Sequence, residues 1–129
     1  MIRTKRVLLV EDYMLLRSMI EEFLAVNYYQ VVPVTDGIDG LHAVLKEDFD
    51  FIISDMVLPK LPGDKFYLSV KKMKPHLCSR FIFMTGHGGN PEIINFIKHV
   101  NGIVLLKPFQ MQDLLQAVYS VHVNKPIAA

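Results

Sequence analysis

The sequence predicts an α/β fold: one doubly wound, five-stranded parallel sheet with five helices. Three observations predict it. Four short apolar runs, rich in β-branched and aromatic residues, each stop at a polar or charged group. They are Val7-Leu8-Leu9-Val10 before Glu11-Asp12, Phe51-Ile52-Ile53 before Ser54-Asp55, Phe81-Ile82-Phe83-Met84 before Thr85, and Ile103-Val104-Leu105-Leu106 before Lys107-Pro108. Continuous apolar runs of this length read as strands buried on both faces, which is the setting of a parallel sheet. Between the runs, apolar residues recur three and four apart, as on one face of a helix. Strands and helices alternate strictly, and that pattern winds into a parallel sheet through right-handed crossovers.

Each element has its own local grounds. After the first strand, Leu16, Ile20, Phe23 and Leu24 mark a helix running to about Val26. A short second strand covers 30–34; its Pro33 fits a sheet edge and not the centre. Asp36-Gly37 reads as a turn, and Leu41, Val44 and Leu45 mark the second helix. The third strand ends at Asp55 and meets a loop holding Pro59, Pro62 and Gly63. Phe66, Val70 and Met73 mark the third helix, which stops before Pro75. The fourth strand ends at Thr85 and runs into Gly86-His87-Gly88-Gly89, a soft loop. Asn90-Pro91-Glu92 is an N-cap with proline in the first turn. Ile93, Phe96, Ile97 and Val100 continue that fourth helix, and Asn101-Gly102 ends it. The fifth strand leads to Met111, Leu114, Leu115, Val118 and Tyr119, the last helix. Residues 124–129 carry no pattern, so 1–123 is expected to form the domain and 124–129 an unstructured tail. An edge-type strand placed second in sequence gives the flavodoxin-like order 2-1-3-4-5.

Composition narrows the class. A chain of 129 residues, 51% hydrophobic, supports one domain with a full core. A formal charge of +1 gives no basic face for nucleic acid or a membrane surface, so no direct nucleic-acid binding is expected. No stretch reaches membrane-spanning length. The basic cluster Arg3, Lys5 and Arg6 precedes an apolar run too short for a signal peptide. Cys78 is the only cysteine, so no internal disulfide can form and a cytoplasmic location is expected. Cys78 reads as a small apolar filler, and Met14, Leu15, Met19 and Met111 read as core or partial core. His42, His76, His99 and His122 lack metal-ligand spacing and read as surface residues. Gly86-His87-Gly88-Gly89 lacks the lysine of a phosphate-binding loop.

In an open parallel sheet, ligands bind beyond the carboxyl ends of the strands. The predicted fold therefore gathers Glu11, Asp12, Asp55, Thr85 and Lys107 in one crevice. Singly, each aspartate is compatible with a helix cap and Lys107 with a solvated lysine; ending buried strands together, they read as a site. Three carboxylates, a hydroxyl and an ammonium suit a divalent cation and a phosphoryl group. An aspartate can attack phosphorus and form an acyl phosphate. Crowded carboxylates raise at least one pKa, and a lysine or a cation reverses that. Mg²⁺ prefers carboxylates, phosphate oxygens and waters.

This set, in this order, resembles the response-regulator receiver domain of two-component signalling. The resemblance spans essentially the whole chain and rests on the acidic pair Glu11-Asp12, on Asp55-Met56-Val57-Leu58-Pro59-Lys60-Leu61-Pro62-Gly63 (the D-x-x-x-P-x-x-x-G run), on Thr85, and on Lys107-Pro108-Phe109. Arg17 also stands where many receivers carry arginine. The resemblance implies that Asp55 accepts a phosphoryl group from a histidine kinase or histidine phosphotransfer protein. It implies that Glu11, Asp12, Asp55 and the backbone carbonyl of Val57 hold Mg²⁺ (or Mn²⁺), with Glu11 reaching the metal through water. Thr85 would sense the phosphoryl group, Lys107 would offset its charge, and the Lys107-Pro108 peptide would be cis. Such a domain is a switch, not an enzyme, with at most slow self-dephosphorylation. His87 occupies a position where receiver side chains influence water access. Val104 stands where many receivers carry tyrosine or phenylalanine, whose ring swings inward on phosphorylation. Valine cannot do so, which directs the signal mainly through the Thr85 loop and the fourth helix. Two other readings compete: a receiver-like interaction module that works without phosphorylation, and a phosphohydrolase with an aspartate nucleophile. The latter generally needs a second aspartate where Val57 stands.

Overall fold

The structure, a computed structural model, describes residues 4–86 and 90–123. The five apolar segments form strands β1 (Lys5–Val10), β2 (Tyr29–Val34), β3 (Phe51–Asp55), β4 (Phe81–Gly86) and β5 (Ile103–Lys107). They pair in parallel in the order β2-β1-β3-β4-β5. Pro33 lies in the edge strand β2, where a missing N–H need not break an inner ladder. β3 is central, and all five of its residues are buried.

Side chains alternate across each strand, so the sheet carries two apolar faces. Leu8, Val10, Ile52, Phe81 and Phe83 meet α2 (Gly37–Lys46), α3 (Gly63–Met73) and α4 (Pro91–His99) on one face. Val7, Leu9, Phe51, Ile53, Ile82 and Met84 meet α1 (Met14–Val26) and α5 (Met111–Val123) on the other. Each buried side chain of this size contributes about 1.5–3 kcal/mol of transfer free energy, so the two faces anchor the strand ends that form the site. On the first face, Tyr67 lies with its ring 5.0 Å from Phe81 and 5.5 Å from Phe96, and burial pushes its phenol up to about 12.

Several expectations need correction. α3 ends at Met73 as expected, but Pro75–Arg80 then forms a 3₁₀ helix. Its Leu77 is buried and Cys78 packs partly against the core, so this connection is stapled to the sheet. Asp36-Gly37 is not a free turn: Asp36 N-caps α2, accepting from the Asp39 backbone N–H at 2.8 Å. Met14, Leu15 and Met19 are exposed, because α1 turns its Leu16–Ile20–Phe23–Leu24 stripe to the sheet and leaves 14, 15 and 19 outside it. Met111 is partly buried, as expected. His42, His76 and His99 are exposed, but His122 is half-buried. Its ring stacks on Tyr29, with Nε2 3.2 Å from the phenol oxygen, and meets Phe51 edge-on. Among the described residues, no helix is long and apolar enough to cross a membrane. The expected tail, 124–129, lies outside the described residues.

The Asp36 cap carries a pH signature. The Asp39 N–H holds the Asp36 carboxyl below its ordinary value; burial opposes this, and Lys60 at 3.5 Å reinforces it. A depressed folded pKa contributes stability above the unfolded value of 3.8 and loses it as pH falls through the folded value. Asp36→Ala is expected to cost about 1 kcal/mol at neutral pH. In urea denaturation the difference from the parent should shrink below pH 3.8. A difference independent of pH would show that the charge plays no part.

Candidate functional site

Four of the strands deliver functional side chains to the same edge of the sheet. β1 ends at Val10, and the next two residues are Glu11 and Asp12. β3 ends on Asp55 and β5 on Lys107. Thr85 is the penultimate residue of β4, the strand between them, and Gly86 pairs with Lys107. Because the ladders are parallel, these ends lie side by side.

The central contact is ionic. The Lys107 ammonium donates to Asp55 Oδ2 at 2.6 Å and to Glu11 Oε1 at 2.8 Å. Glu11 is fully buried and Asp55 nearly so, whereas the lysine side chain keeps 26% of its surface exposed. Backbone donors hold the other carboxylate oxygens: Tyr13 N–H on Glu11 Oε2 at 3.0 Å, and Val57 N–H on Asp55 Oδ1 at 3.1 Å. Burial pushes the Glu11 carboxyl up, against the lowering effects of Lys107 and the Tyr13 N–H. For Lys107, burial works against the charge, but the hydrogen bonds it donates to Asp55 and Glu11, with their negative charges, outweigh it and the net shift is upward. The ammonium is thus held protonated between two acids.

Asp12 completes the acidic group and is exposed. One carboxylate oxygen each from Glu11, Asp12 and Asp55 lie within 4.8 Å of one another. Three hard anionic oxygens at this spacing, without sulfur or imidazole, fit a small divalent cation such as Mg²⁺ or Mn²⁺. Thr85 is buried, yet among the described residues no hydrogen bond joins its hydroxyl to Asp55 or Lys107. Val57 is exposed, and its recorded contribution to the site is its N–H.

The loop after Asp55 explains the glycine eight residues later. A Cβ at Gly63 would lie 2.6 Å from the Asp55 carbonyl oxygen and 2.6 Å from the Met56 Cα. α3 therefore starts in direct contact with the backbone of Asp55 and Met56, and only glycine fits. The Lys107–Pro108 peptide is cis, as the resemblance implies. Val104 is 38% exposed on β5, so no buried ring occupies that position. His87 and most of the expected soft loop, 87–89, lie outside the described residues; Gly86 belongs to β4.

No side-chain pattern in the sequence reveals the two backbone donors, and Arg17 stands out there by position only. In the structure, Arg17 Nη1 donates to the carbonyl oxygens of Glu11 at 2.9 Å and Asp12 at 3.3 Å.

Comparison with known proteins agrees with this geometry. Residues 7–119 match the response regulator receiver domain family. The chain is 28% identical over 120 residues to the transcription factor SKN7 of Candida albicans, covering 93% of this chain and 21% of that protein. It is 28% identical over 113 residues to the response regulator protein FleR of Pseudomonas aeruginosa, covering 88% of this chain and 24% of that protein. The chain therefore spans less than a quarter of either relative. Among solved structures, the Vibrio cholerae chemotaxis response regulator CheY4 superposes with a TM-score of 0.83 at 28% identity, covering 92% of this chain and 99% of that one. A CheY-like receiver domain protein from Methanospirillum hungatei shares the fold with a TM-score of 0.87 at 22% identity, over 95% and 97% of the two chains. With the sheet order, the acidic crevice and a match over most of its length in agreement, this chain belongs to the response regulator receiver domain family.

Proposed function

We propose that this domain is a Mg²⁺-dependent phosphoacceptor switch that takes a phosphoryl group on Asp55 from a phosphohistidine of a histidine kinase or phosphotransfer protein. The observation that carries this reading is the single ammonium of Lys107 bridging Asp55 and the buried Glu11 at the sheet's ligand-binding edge. An interaction module would not need a buried carboxylate and an ammonium held in one crevice.

Transfer is a substitution at phosphorus. An Asp55 carboxylate oxygen forms the new O–P bond as the N–P bond of the donor breaks, and the electron pair returns to the imidazole nitrogen. The Val57 N–H fixes Asp55 Oδ1, so the carboxylate meets the donor in a set orientation. Lys107 already stands at Asp55 Oδ2, where its charge offsets that of the incoming phosphoryl oxygens. Glu11 keeps the ammonium in place through its own ion pair. The Thr85 hydroxyl is free of Asp55 and Lys107 and gains a charge-assisted partner once a phosphoryl oxygen arrives. Glu11, Asp12, Asp55 and the Val57 carbonyl would hold the cation, which when bound neutralises charge on the transferring group.

The approach to Asp55 also supports a protein donor. Tyr13, Leu15 and Met19 are each more than half exposed and, with Lys107 and Phe109, line an apolar hollow of about 450 Å³ beside the site. Asp12→Ala is expected to remove a cation ligand and weaken Mg²⁺ binding about tenfold or more, with a parallel fall in phosphorylation. The titration is followed by NMR; a variant that titrates like the parent refutes the ligand role. To test the reading itself, the chain is incubated with acetyl phosphate and Mg²⁺ and its intact mass recorded. A stable one-phosphate adduct supports the switch. Absence of any adduct on folded protein supports the interaction module, and continuous phosphate release supports a hydrolase.

A further inference from the structure

Arg17 lies in the first turn of α1, a turn without an acidic residue and with no side-chain cap from Tyr13. A cation is disfavoured at that positive end of the helix, so its presence needs a compensating contact. The recorded partners are the Glu11 and Asp12 carbonyl oxygens, both bonded to Nη1, and among the described residues no carboxylate is ion-paired with it. The guanidinium thus spans two successive peptides of the acidic turn. The two acids there depend on it unequally. The Glu11 side chain is fixed independently by Lys107 and the Tyr13 N–H. The Asp12 carboxylate is exposed and has no hydrogen bond or ion pair among the described residues, so its direction follows from the backbone that carries it.

We infer that Arg17 is a positioning residue for the cation site: by clamping the Glu11 and Asp12 carbonyls it aims the Asp12 carboxylate at the oxygens of Glu11 and Asp55. This rests on the reading of that cluster as a cation site. Two effects of Arg17 oppose each other. The clamp preorganises a ligand and favours binding, whereas the positive charge repels a dication. The clamp dominates.

The test is Mn²⁺ binding to the whole chain without any phosphodonor, read from the electron paramagnetic resonance signal of the free ion. Arg17→Ala is expected to raise the dissociation constant about tenfold, the range seen when a group orienting a ligand is lost. Arg17→Gln keeps an N–H donor without the charge and is expected to recover part of the parent affinity. Thermal unfolding of each variant shows whether it is folded at the titration temperature; if Arg17→Ala is not, Arg17→Gln and Arg17→Lys decide. Both then bind more weakly than the parent if a two-carbonyl clamp is needed. Unchanged or tighter Mn²⁺ binding in the folded variants, with normal binding by the parent, overturns the positioning role and leaves the cation site standing. A parent that binds no Mn²⁺ overturns the cation site and this inference with it.

Discussion

Asp55→Asn is expected to abolish the phospho-adduct and to leave the fold intact. The substitution keeps the size of the side chain and an oxygen able to accept the Val57 N–H, but removes the nucleophilic charge. Lys107 keeps its bond to Glu11, so the buried acid does not lose its counter-charge. Asp55 is the acidic residue that ends the fully buried central strand, where the Val57 N–H and the Lys107 ammonium hold its two oxygens. Intact mass after acetyl phosphate and Mg²⁺ should therefore show one phosphate on the parent and none on the variant, with matching circular dichroism spectra. Normal stoichiometry on Asp55→Asn would move the acceptor to another residue.

Lys107→Ala is expected to have the next largest effect and to act on both chemistry and stability. Phosphorylation is expected to slow about a hundredfold, the scale of losing one preorganised group that meets developing charge. At neutral pH the variant also leaves Glu11 fully buried without its cation, at a cost of about 3 kcal/mol. The pH dependence has a definite sign. Burial already raises the folded pKa of Glu11 above its ordinary 4.5, and loss of Lys107 raises it further. Once Glu11 is protonated it needs no counter-charge, so the stability gap between parent and variant closes as the medium is acidified. At the other end, the Lys107 pKa is raised on folding, so its contribution is present below 10.5 and lost as pH rises through the folded value. Urea denaturation from mildly acidic to neutral pH measures the gap. A gap that does not change with pH would mean that Glu11 and Lys107 are not coupled in the way their 2.8 Å contact implies.

Much of this site is legible in the sequence because it is built from strand ends. An apolar run that stops at an acid declares both a buried strand and the position of its carboxylate. Pro33 marks the edge strand, and Asn90 caps α4 through its bond to the Glu92 N–H, as its position suggests. What escaped depends on tertiary contact. The exposure of Met14, Leu15 and Met19 follows from which stripe of α1 meets the sheet, and an apolar residue beside that stripe reads like one within it. His122 is drawn inward by Tyr29 and Phe51, which lie far away in sequence. The 3₁₀ helix Pro75–Arg80 is too short for its periodicity to show. The Tyr13 and Val57 donors are backbone groups and leave no compositional trace.

If Asp55 accepts the phosphoryl group, its carboxylate becomes an acyl phosphate, and that bond can be trapped chemically. The parent is phosphorylated with acetyl phosphate and Mg²⁺, reduced with borohydride, and digested for peptide mapping by mass spectrometry. Reduction of an aspartyl phosphate leaves homoserine at the modified position. Homoserine is expected at position 55 and nowhere else, dependent on Mg²⁺ and on the phosphodonor. Homoserine at another aspartate, the corresponding five-carbon alcohol at a glutamate, or a stable phosphate that borohydride does not convert would overturn the assignment.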